Sequence, residues 1–452
     1  MRSRLLFVLC AITAANAPAV ARAQSAPPPA APASGTAAPA AGAAGDAAKA
    51  PGAVDPSIEE GDDMSMTFHA ARPADMQEFA QANLQEIQVG KLKPRYALNF
   101  FGDLSLGASS KTEGITKPDP AFATGVYDIL FNAELDSKVL ATSEVTFQYE
   151  PSAPLAELER LHLRWKPSKA FFFEVGRFHT DIGYWNVAYH HGKWLQLPIE
   201  RPRTILLHGG LLPVHWVGAQ TGVSIPVGGG SINFVTSVGS ARDPIGVGGH
   251  QTHSAAFTPV NGVHAKLEAA GIGIRDLHIG VSGIYDRIPA EEAIVRPGLP
   301  DTGIDEYIGN AFIAFPSVPF TAIAEGYIIQ HQVTKGDLSS GEAGSKWRSY
   351  SVFALLGYTL GIVTPYVKGE YISSRQGSDI PDAFYIPEPR ASVPTPPSVA
   401  LDLVEGTGGI RFDVNTWSSV KVEYRATGGY AQRIPGTKDL IHTGTANWSF
   451  GL

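Results

Sequence analysis

Cysteine and long apolar runs are the two things this sequence nearly lacks. Its 452 residues hold one cysteine, Cys10, so an intrachain disulfide or a thiolate metal cluster is excluded. After the first two dozen residues no stretch approaches the ~20 apolar residues that a membrane-spanning helix requires. Neither Gly-x-Ser-x-Gly nor His-Glu-x-x-His occurs, so the local signatures of a strained serine nucleophile or a two-histidine zinc protease are missing. The formal net charge is −8 at pH 7, the wrong sign for a partner whose phosphates are bound by clustered Lys and Arg. No nucleic-acid partner is expected.

What is present begins with Arg2 and Arg4, the apolar run Leu5 to Ile12, and small residues ending in Ala21-Arg22-Ala23. That order predicts a secretory signal peptide over 1–23, with the mature chain starting near Gln24. Phe7-Val8-Leu9 before Cys10 lack the small residue of a lipoprotein site. Loss of Arg2, Arg4 and Arg22 takes the formal charge to −11, and the tail from Gln24 to Lys93 holds nine acids against four bases. Residues 24–70 read as an Ala/Pro-rich linker that cannot bury a core. Over 71–93, Met76, Phe79, Ala80, Leu84 and Ile87 recur at helical spacing and predict one short periplasmic amphipathic helix that packs on the body that follows.

From residue 94 to Leu452 the period becomes two. Leu98, Phe100, Leu104 and Leu106 alternate with Asn99, Asp103 and Ser105, and Tyr127, Ile129, Phe131, Ala133 and Leu135 with Asp128, Asn132 and Glu134. A third strand sets Val139, Ala141, Val145, Phe147 and Tyr149 against Thr142, Glu144, Thr146 and Gln148; a fourth sets Leu161, Leu163 and Trp165 against Arg160, His162, Arg164 and Lys166. Each strand therefore has an apolar face and a polar one. Twelve further strands are expected near 170–177, 215–225, 230–240, 261–270, 275–286, 304–315, 320–333, 346–360, 363–374, 402–413, 416–426 and 444–452.

Alternation alone fits a soluble sandwich as well, and connection lengths decide between them. Short turns, such as Asp136-Ser137-Lys138, Val227-Gly228-Gly229, Gly271-Ile272-Gly273-Ile274 and Gly361-Ile362, alternate with long loops near 108–122, 150–156, 178–214, 241–260, 287–303, 334–345, 375–401 and 427–443. An even strand number with short periplasmic turns and long external loops is the pattern of an outer-membrane barrel. The expected fold is thus all-β, a transmembrane antiparallel up-and-down β-barrel of about sixteen strands, with both termini periplasmic. In hydrocarbon only a closed sheet leaves no backbone edge unsatisfied. Tyr127, Tyr149, Trp165, Tyr371, Trp417 and Tyr424 fall near strand ends, where amphipathic rings favour the interface.

The final strand, with Ala446, Trp448, Phe450 and Leu452 in alternation, resembles the C-terminal assembly signal of outer-membrane barrels, although the last residue is Leu452 rather than an aromatic. The third and longest loop opens on Gly176-Arg177-Phe178-His179-Thr180-Asp181-Ile182-Gly183-Tyr184-Trp185-Asn186. Its place and length, and the Gly-Arg-Phe-x-Thr-x-x-Gly-Tyr run, resemble sixteen-stranded porins and in particular the phosphate-selective porin family. Asp181 stands where those proteins often have proline, and no arginine ladder runs across several strands. The resemblance implies a passive channel for small polar solutes or ions, a third loop (178–214) that narrows the lumen, and a homotrimer. Outer-membrane lipids and the barrel assembly machinery would be its other partners, and no cofactor is expected.

In that reading the basic pore lining comprises Arg160, Arg164 and Lys166, with Arg177, His179 and Lys193 at the loop; Asp181, Asp103, Asp128, Glu134 and Glu144 oppose it. A basic strand facing an acidic group of strands would set up a transverse field. Lys266 with Glu268, Lys368 with Glu370, and Lys421 with Glu423 and Arg425 read as paired ladders. His179, His190, His191, His208 and His215 crowd the loop and its flanks, but adjacent His190-His191 suit one metal poorly, and no metal site is assigned. Tyr184, Trp185, Tyr189 and Trp194 read either as packing against the wall or as a sugar-stacking slide. An adhesive surface barrel, and then a barrel hydrolase, are the alternative functions.

Overall fold

The computed structural model describes residues 85–86, 94–110, 120–149, 154–189, 193–205, 211–241, 261–288, 303–335, 346–373, 402–428 and 440–452. The expected signal peptide and linker lie outside these residues, as does the expected helix apart from Gln85–Glu86. Those two residues are extended and pair antiparallel with Tyr96 and Arg95.

Sixteen barrel strands follow: β1 Arg95–Ser109, β2 Ala121–Asp136, β3 Val139–Tyr149, β4 Pro154–Ser168, β5 Phe171–His179, β6 His215–Val227, β7 Gly230–Ser240 and β8 Gly262–Ala270. The second half comprises β9 His278–Ile288, β10 Gly303–Pro316, β11 Phe320–Lys335, β12 Lys346–Tyr358, β13 Val363–Ser373, β14 Asp402–Asn415, β15 Ser418–Gly428 and β16 Ile441–Gly451. Each is antiparallel to its sequence neighbours, and β16 returns to β1 from Thr443 opposite Ser109 to Gly451 opposite Phe101. Leu452 completes the closure, exchanging backbone hydrogen bonds of 2.8 Å with Phe100 in both directions. Among the described residues the barrel sheet has no free edge.

The sixteen-strand barrel expected from alternation and loop lengths is therefore the observed fold. β13 shows why the sequence folds this way: Thr364, Tyr366, Lys368, Glu370 and Ile372 are buried in the barrel, while Val367 and Tyr371 are 56% and 43% exposed on the outside. Oily residues outside and charge inside is the inverse of a water-soluble barrel, and it suits a hydrocarbon solvent. Tyr127, Phe147, Tyr307, Tyr350, Tyr371 and Tyr424 girdle the long-loop end, and Trp165, Phe173, Phe320, Tyr358, Trp417 and Trp448 the short-turn end, all exposed. Two aromatic belts bracket an apolar band, as interfacial anchoring requires.

Three local departures from the expected layout have physical causes. β5 runs through His179, so the long third loop spans 180–214 rather than 178–214. The turn after β8 extends to Leu277, because Gly271, Gly273 and Asp276 all take positive φ and delay β9 to His278. Bulges interrupt strict alternation between Gly102 and Leu104 on β1, and on β4 where Glu144 and Val145 pair with Arg160 and Leu158. The second bulge leaves Glu159 and Arg160 both inward between outward Leu158 and Leu161. A bulge re-aims side chains in this way.

Candidate functional site

The third loop does not stand outside the barrel. Thr180 and Val214 close its stem with a backbone hydrogen bond of 2.9 Å, reinforced by the Thr180 hydroxyl donating to the Pro213 carbonyl at 2.6 Å. From there the chain enters the lumen and follows its inner wall.

Its first anchor is on β9 and β11. The Gly183 amide donates to Ser282 Oγ at 3.2 Å, and Glu325 accepts the amides of Tyr184 and Trp185 at 3.1 and 2.6 Å. Those amides open a short helix, α1 (Trp185–Ala188), so a carboxylate from the wall supplies the acceptor that helix-start N–H groups need. Tyr327 donates its hydroxyl to the same carboxylate. Gly183 has φ +71°, and a Cβ there would lie 2.3 Å from Glu325 Oε2. Only glycine brings the loop this close.

The second anchor is on β12 to β15. Lys421 donates Nζ to the carbonyls of Lys193, Gln196 and Pro198, the last two at 2.7 and 3.2 Å. Arg411 donates to the carbonyls of Trp194 and Gln196, Glu423 accepts the Ile199 amide at 2.9 Å, and Glu370 accepts the Thr204 amide at 3.2 Å. Arg203 pairs with Glu405 at 3.3 Å. Backbone groups that turn away from water here meet full charges, which are the strongest available partners.

Apolar contacts complete the seat. Ile182, Trp185, Trp194, Leu195, Ile205 and Leu212 are each at most 2% exposed and join Phe101, Leu130, Phe312 and Phe353 of the wall in one cluster. Trp185 meets Phe353 edge-on at 5.7 Å and Tyr189 at 4.9 Å. Tyr184, Trp185, Tyr189 and Trp194 are thus packing rings rather than a sugar slide, since all four are at most 8% exposed.

The charged residues expected to line the pore fall into neighbouring pairs. Arg160 binds Glu144 at 2.6 Å, Arg164 binds Glu174 at 2.5 Å, and His162 lies 3.0 Å from Glu174. Arg177 reaches Glu157 at 3.2 Å, and Asp181 binds Lys266 at 2.8 Å. Glu134 pairs with Arg95, and Asp128 accepts the Thr146 hydroxyl. Arg160 and Glu144 sit on adjacent strands, so the expected face-to-face separation of a basic strand from acidic strands is replaced there by contact pairs. Of the expected ladders, Lys266–Glu268 and Lys368–Glu370 form at 3.3 and 3.8 Å. Lys421 instead serves the loop carbonyls, while Arg425 turns to Glu405 at 3.9 Å.

Asp103 is the busiest of the expected residues. At the β1 bulge it accepts from the Val126 amide (3.2 Å), Asn447 Nδ2 (3.0 Å) and Lys193 Nζ (3.1 Å). Gly125 is what admits it, for a Cβ there would sit 2.0 Å from Asp103 Oδ1. Lys193 also lies 3.5 Å from Glu200. Burial alone would lower the Lys193 ammonium and raise the Glu200 carboxyl. Glu200 and Asp103 outweigh this and raise the lysine, and Lys193 with Arg425, Arg203 and Lys368 holds the Glu200 carboxyl down at about 2.

Among the described residues, two spaces lie beside the loop. Against β1 and β2, residues Lys193 to Arg201 leave a crevice of about 40 Å³. Toward β2 to β8 lies a cavity of about 460 Å³ lined by Arg160, Arg164, Lys166, Lys169 and Lys266 and by Glu174, Asp181 and Glu268, with His162, His179, Gln220 and Asn233 between them. Val187, on α1, faces this cavity and is 41% exposed. A serine–histidine contact, Ser237 to His264 at 3.4 Å, is buried in the wall, and the hydroxyl donates to Gln220 at 2.8 Å. Its proton is committed elsewhere, so it does not form an activated nucleophile.

The anchor set was largely missed by sequence reasoning. Glu325, Arg411 and Glu405 carry only the generic signal of an inward charge on an alternating strand, and Glu370 reads only as the partner of Lys368. Nothing local tells which of them will meet a loop 140 or more residues away.

No protein-family model and no curated protein sequence matches the chain. Solved structures do. The chain is similar to the outer membrane channel DcaP of Acinetobacter baumannii, at 13% identity and a TM-score of 0.51, covering 79% of this chain and 97% of that one. OmpT, an outer membrane protein of Vibrio cholerae, matches in its trimer form at 11% identity and a TM-score of 0.47 over 79% and 99% of the two chains. OmpF of Salmonella typhi, in complex with daunomycin, matches at 10% identity and 0.46 over 81% and 100%. At these identities the likeness is one of fold, and the fold is that of an outer-membrane barrel.

Proposed function

We propose that the chain is a porin-type channel of the Gram-negative outer membrane, through which small polar solutes and ions diffuse passively. The observation that carries this reading is the cavity of about 460 Å³, ringed by charged side chains, between the inward loop and β2 to β8. A sixteen-strand barrel is wide enough to keep an aqueous lumen, and residues 180–189, 193–205 and 211–214, held on β9 and β11 to β15, narrow it to one side. No cofactor and no covalent step are needed.

Charge placement supports a preference within that class. Five basic against three acidic side chains line the cavity, and low-dielectric walls strengthen the field of such an excess. Anions are therefore favoured over cations of equal size. The inward His162, Arg164 and Lys166 keep this character along β4 from the middle of the wall to the short-turn mouth.

The folded protein reconstituted in liposomes tests the channel: permeation of small uncharged sugars, falling steeply with solute size, is expected. A bilayer reversal potential of the anion-selective sign is expected across a salt gradient. Impermeable liposomes holding correctly folded barrels would favour the adhesive or hydrolase alternative. A homotrimer and recognition of the C-terminal strand by the assembly machinery belong to the same proposal, and light scattering of the detergent-solubilised protein tests the first.

A further inference from the structure

We propose that the wall at the stem of the long loop is a binding site for one divalent transition cation of the zinc class, held by Glu157, Glu159 and His215. A ligand atom from each lies within 4.8 Å of those of the other two. Glu159 and His215 are 1% and 2% exposed, and His215 Nε2 is 2.6 Å from a Glu159 carboxylate oxygen. One neutral imidazole nitrogen with two carboxylates is a ligand set that zinc accepts, with water filling the fourth position.

The backbone assembles these residues by an unusual route. The β4 bulge turns Glu159 inward beside Arg160, so Glu157 and Glu159 both reach the lumen side from one strand. His215 is the first residue of β6, where the loop ends, and its ring stands 5.1 Å from that of His179, the last residue before the loop begins. Bulges of this kind cluster at functional sites. The short Glu159–His215 contact already brings two metal-ligating atoms together, and a cation entering there spreads them by about 0.7 Å, to the ~3.3 Å that two ligands ~2.0 Å from a tetrahedral zinc keep.

Arg177 is the resident competitor. It donates Nη2 to Glu157 at 3.2 Å and Nε to the Glu159 carbonyl at 3.1 Å. Glu157 must therefore exchange a guanidinium for the metal, and Glu159, which also attracts the Arg201 guanidinium, must give up part of that attraction. A bound cation would staple β4 to β6 across the end of β5, the strand from which the loop departs, at the first residue of the strand to which it returns, tying loop position to metal supply.

The test uses the full chain folded in detergent and stripped with a chelator, then titrated with Zn²⁺ and with Co²⁺. One equivalent of Zn²⁺ should bind, and Co²⁺ should give visible absorption of nitrogen–oxygen coordination. Glu159→Gln and His215→Ala should each weaken binding by more than about 100-fold, beyond the 10–100-fold typical of groups that only orient a ligand, and Arg177→Gln should tighten it. Should those variants fail to fold, zinc X-ray absorption of the unaltered protein decides: a single imidazole with oxygen ligands supports the site. Absence of stoichiometric binding, a shell of two or more imidazoles, or affinity unchanged in folded His215→Ala would overturn it. None of these readouts depends on conductance.

Discussion

Replacing Glu325 by alanine removes at one stroke the acceptor for the Tyr184 and Trp185 amides and for the Tyr327 hydroxyl. Each amide is buried, and a buried donor left without an acceptor costs about 1–3 kcal/mol. Two such donors set an upper bound of about 6 kcal/mol on the loss, and water from the adjoining cavity, by re-satisfying them, brings it down toward about 2 kcal/mol. Even that lower figure shifts the ratio of seated to released loop about 30-fold, since each 1.4 kcal/mol is a factor of ten. The barrel ladder is untouched, so the change should appear in the loop alone. Two assays read it: open-channel noise and mean conductance in planar bilayers should rise, and trypsin should cut after Lys193 or Arg203 in a barrel that remains folded. Glu325→Gln keeps one acceptor oxygen and should fall between the two. Noise, conductance and cleavage rate all unchanged in a folded Glu325→Ala barrel would refute the idea that this carboxylate seats the loop.

Further outcomes follow from the same contacts. Gly183→Ala forces a Cβ to 2.3 Å from Glu325 Oε2 at φ +71° and should reproduce the Glu325→Ala phenotype without touching a charge. Lowering pH from 4.5 toward 2 protonates Glu200. Its folded-state value lies below the ordinary 4.5, so its contribution to loop seating is present above that range and lost within it. With 38% of the side chain accessible the effect is screened and worth less than about 1 kcal/mol, and Glu200→Gln should abolish that part of the acid-induced rise in channel noise. Val367→Arg places a charge in the lipid-facing middle of β13 and should destabilise the barrel by about 2–4 kcal/mol in a reversible unfolding titration. Lys166→Glu with Lys169→Glu should move the reversal potential toward cation selectivity without changing the fold.

The barrel was legible because its determinants are local and repeated. In β13, Val367 and Tyr371 alternating with Lys368 and Glu370 state both the strand and its two solvents, and loop lengths supply the topology. Two kinds of feature were not. The bulges at Asp103 and Glu159 break the parity on which inward and outward assignments rest, so Glu157 and Glu159 could not be read as neighbours facing the lumen. The seat of the loop depends on pairs such as Trp185 with Glu325 and Gln196 with Lys421, separated by 140 and 225 residues. Which inward charge meets which loop carbonyl is settled by the path of the folded chain. The loop aromatics show the same limit: Trp185 and Trp194 suited either stacking or packing until their burial against Phe353 and the barrel wall was seen.

The most direct test of the account asks whether solute passes through the space beside the loop. Because Cys10 is the only cysteine, a chain prepared from Gln24 onward has no thiol, and Val187→Cys places a single one on α1 facing the cavity. Single-channel current is recorded before and after adding a bulky charged thiol reagent, with lipid-facing Val367→Cys as the comparison. A stepwise fall in conductance for Val187→Cys, with none for Val367→Cys, is the predicted result. Unchanged current after complete modification of Val187→Cys would place the conducting path elsewhere and contradict the account.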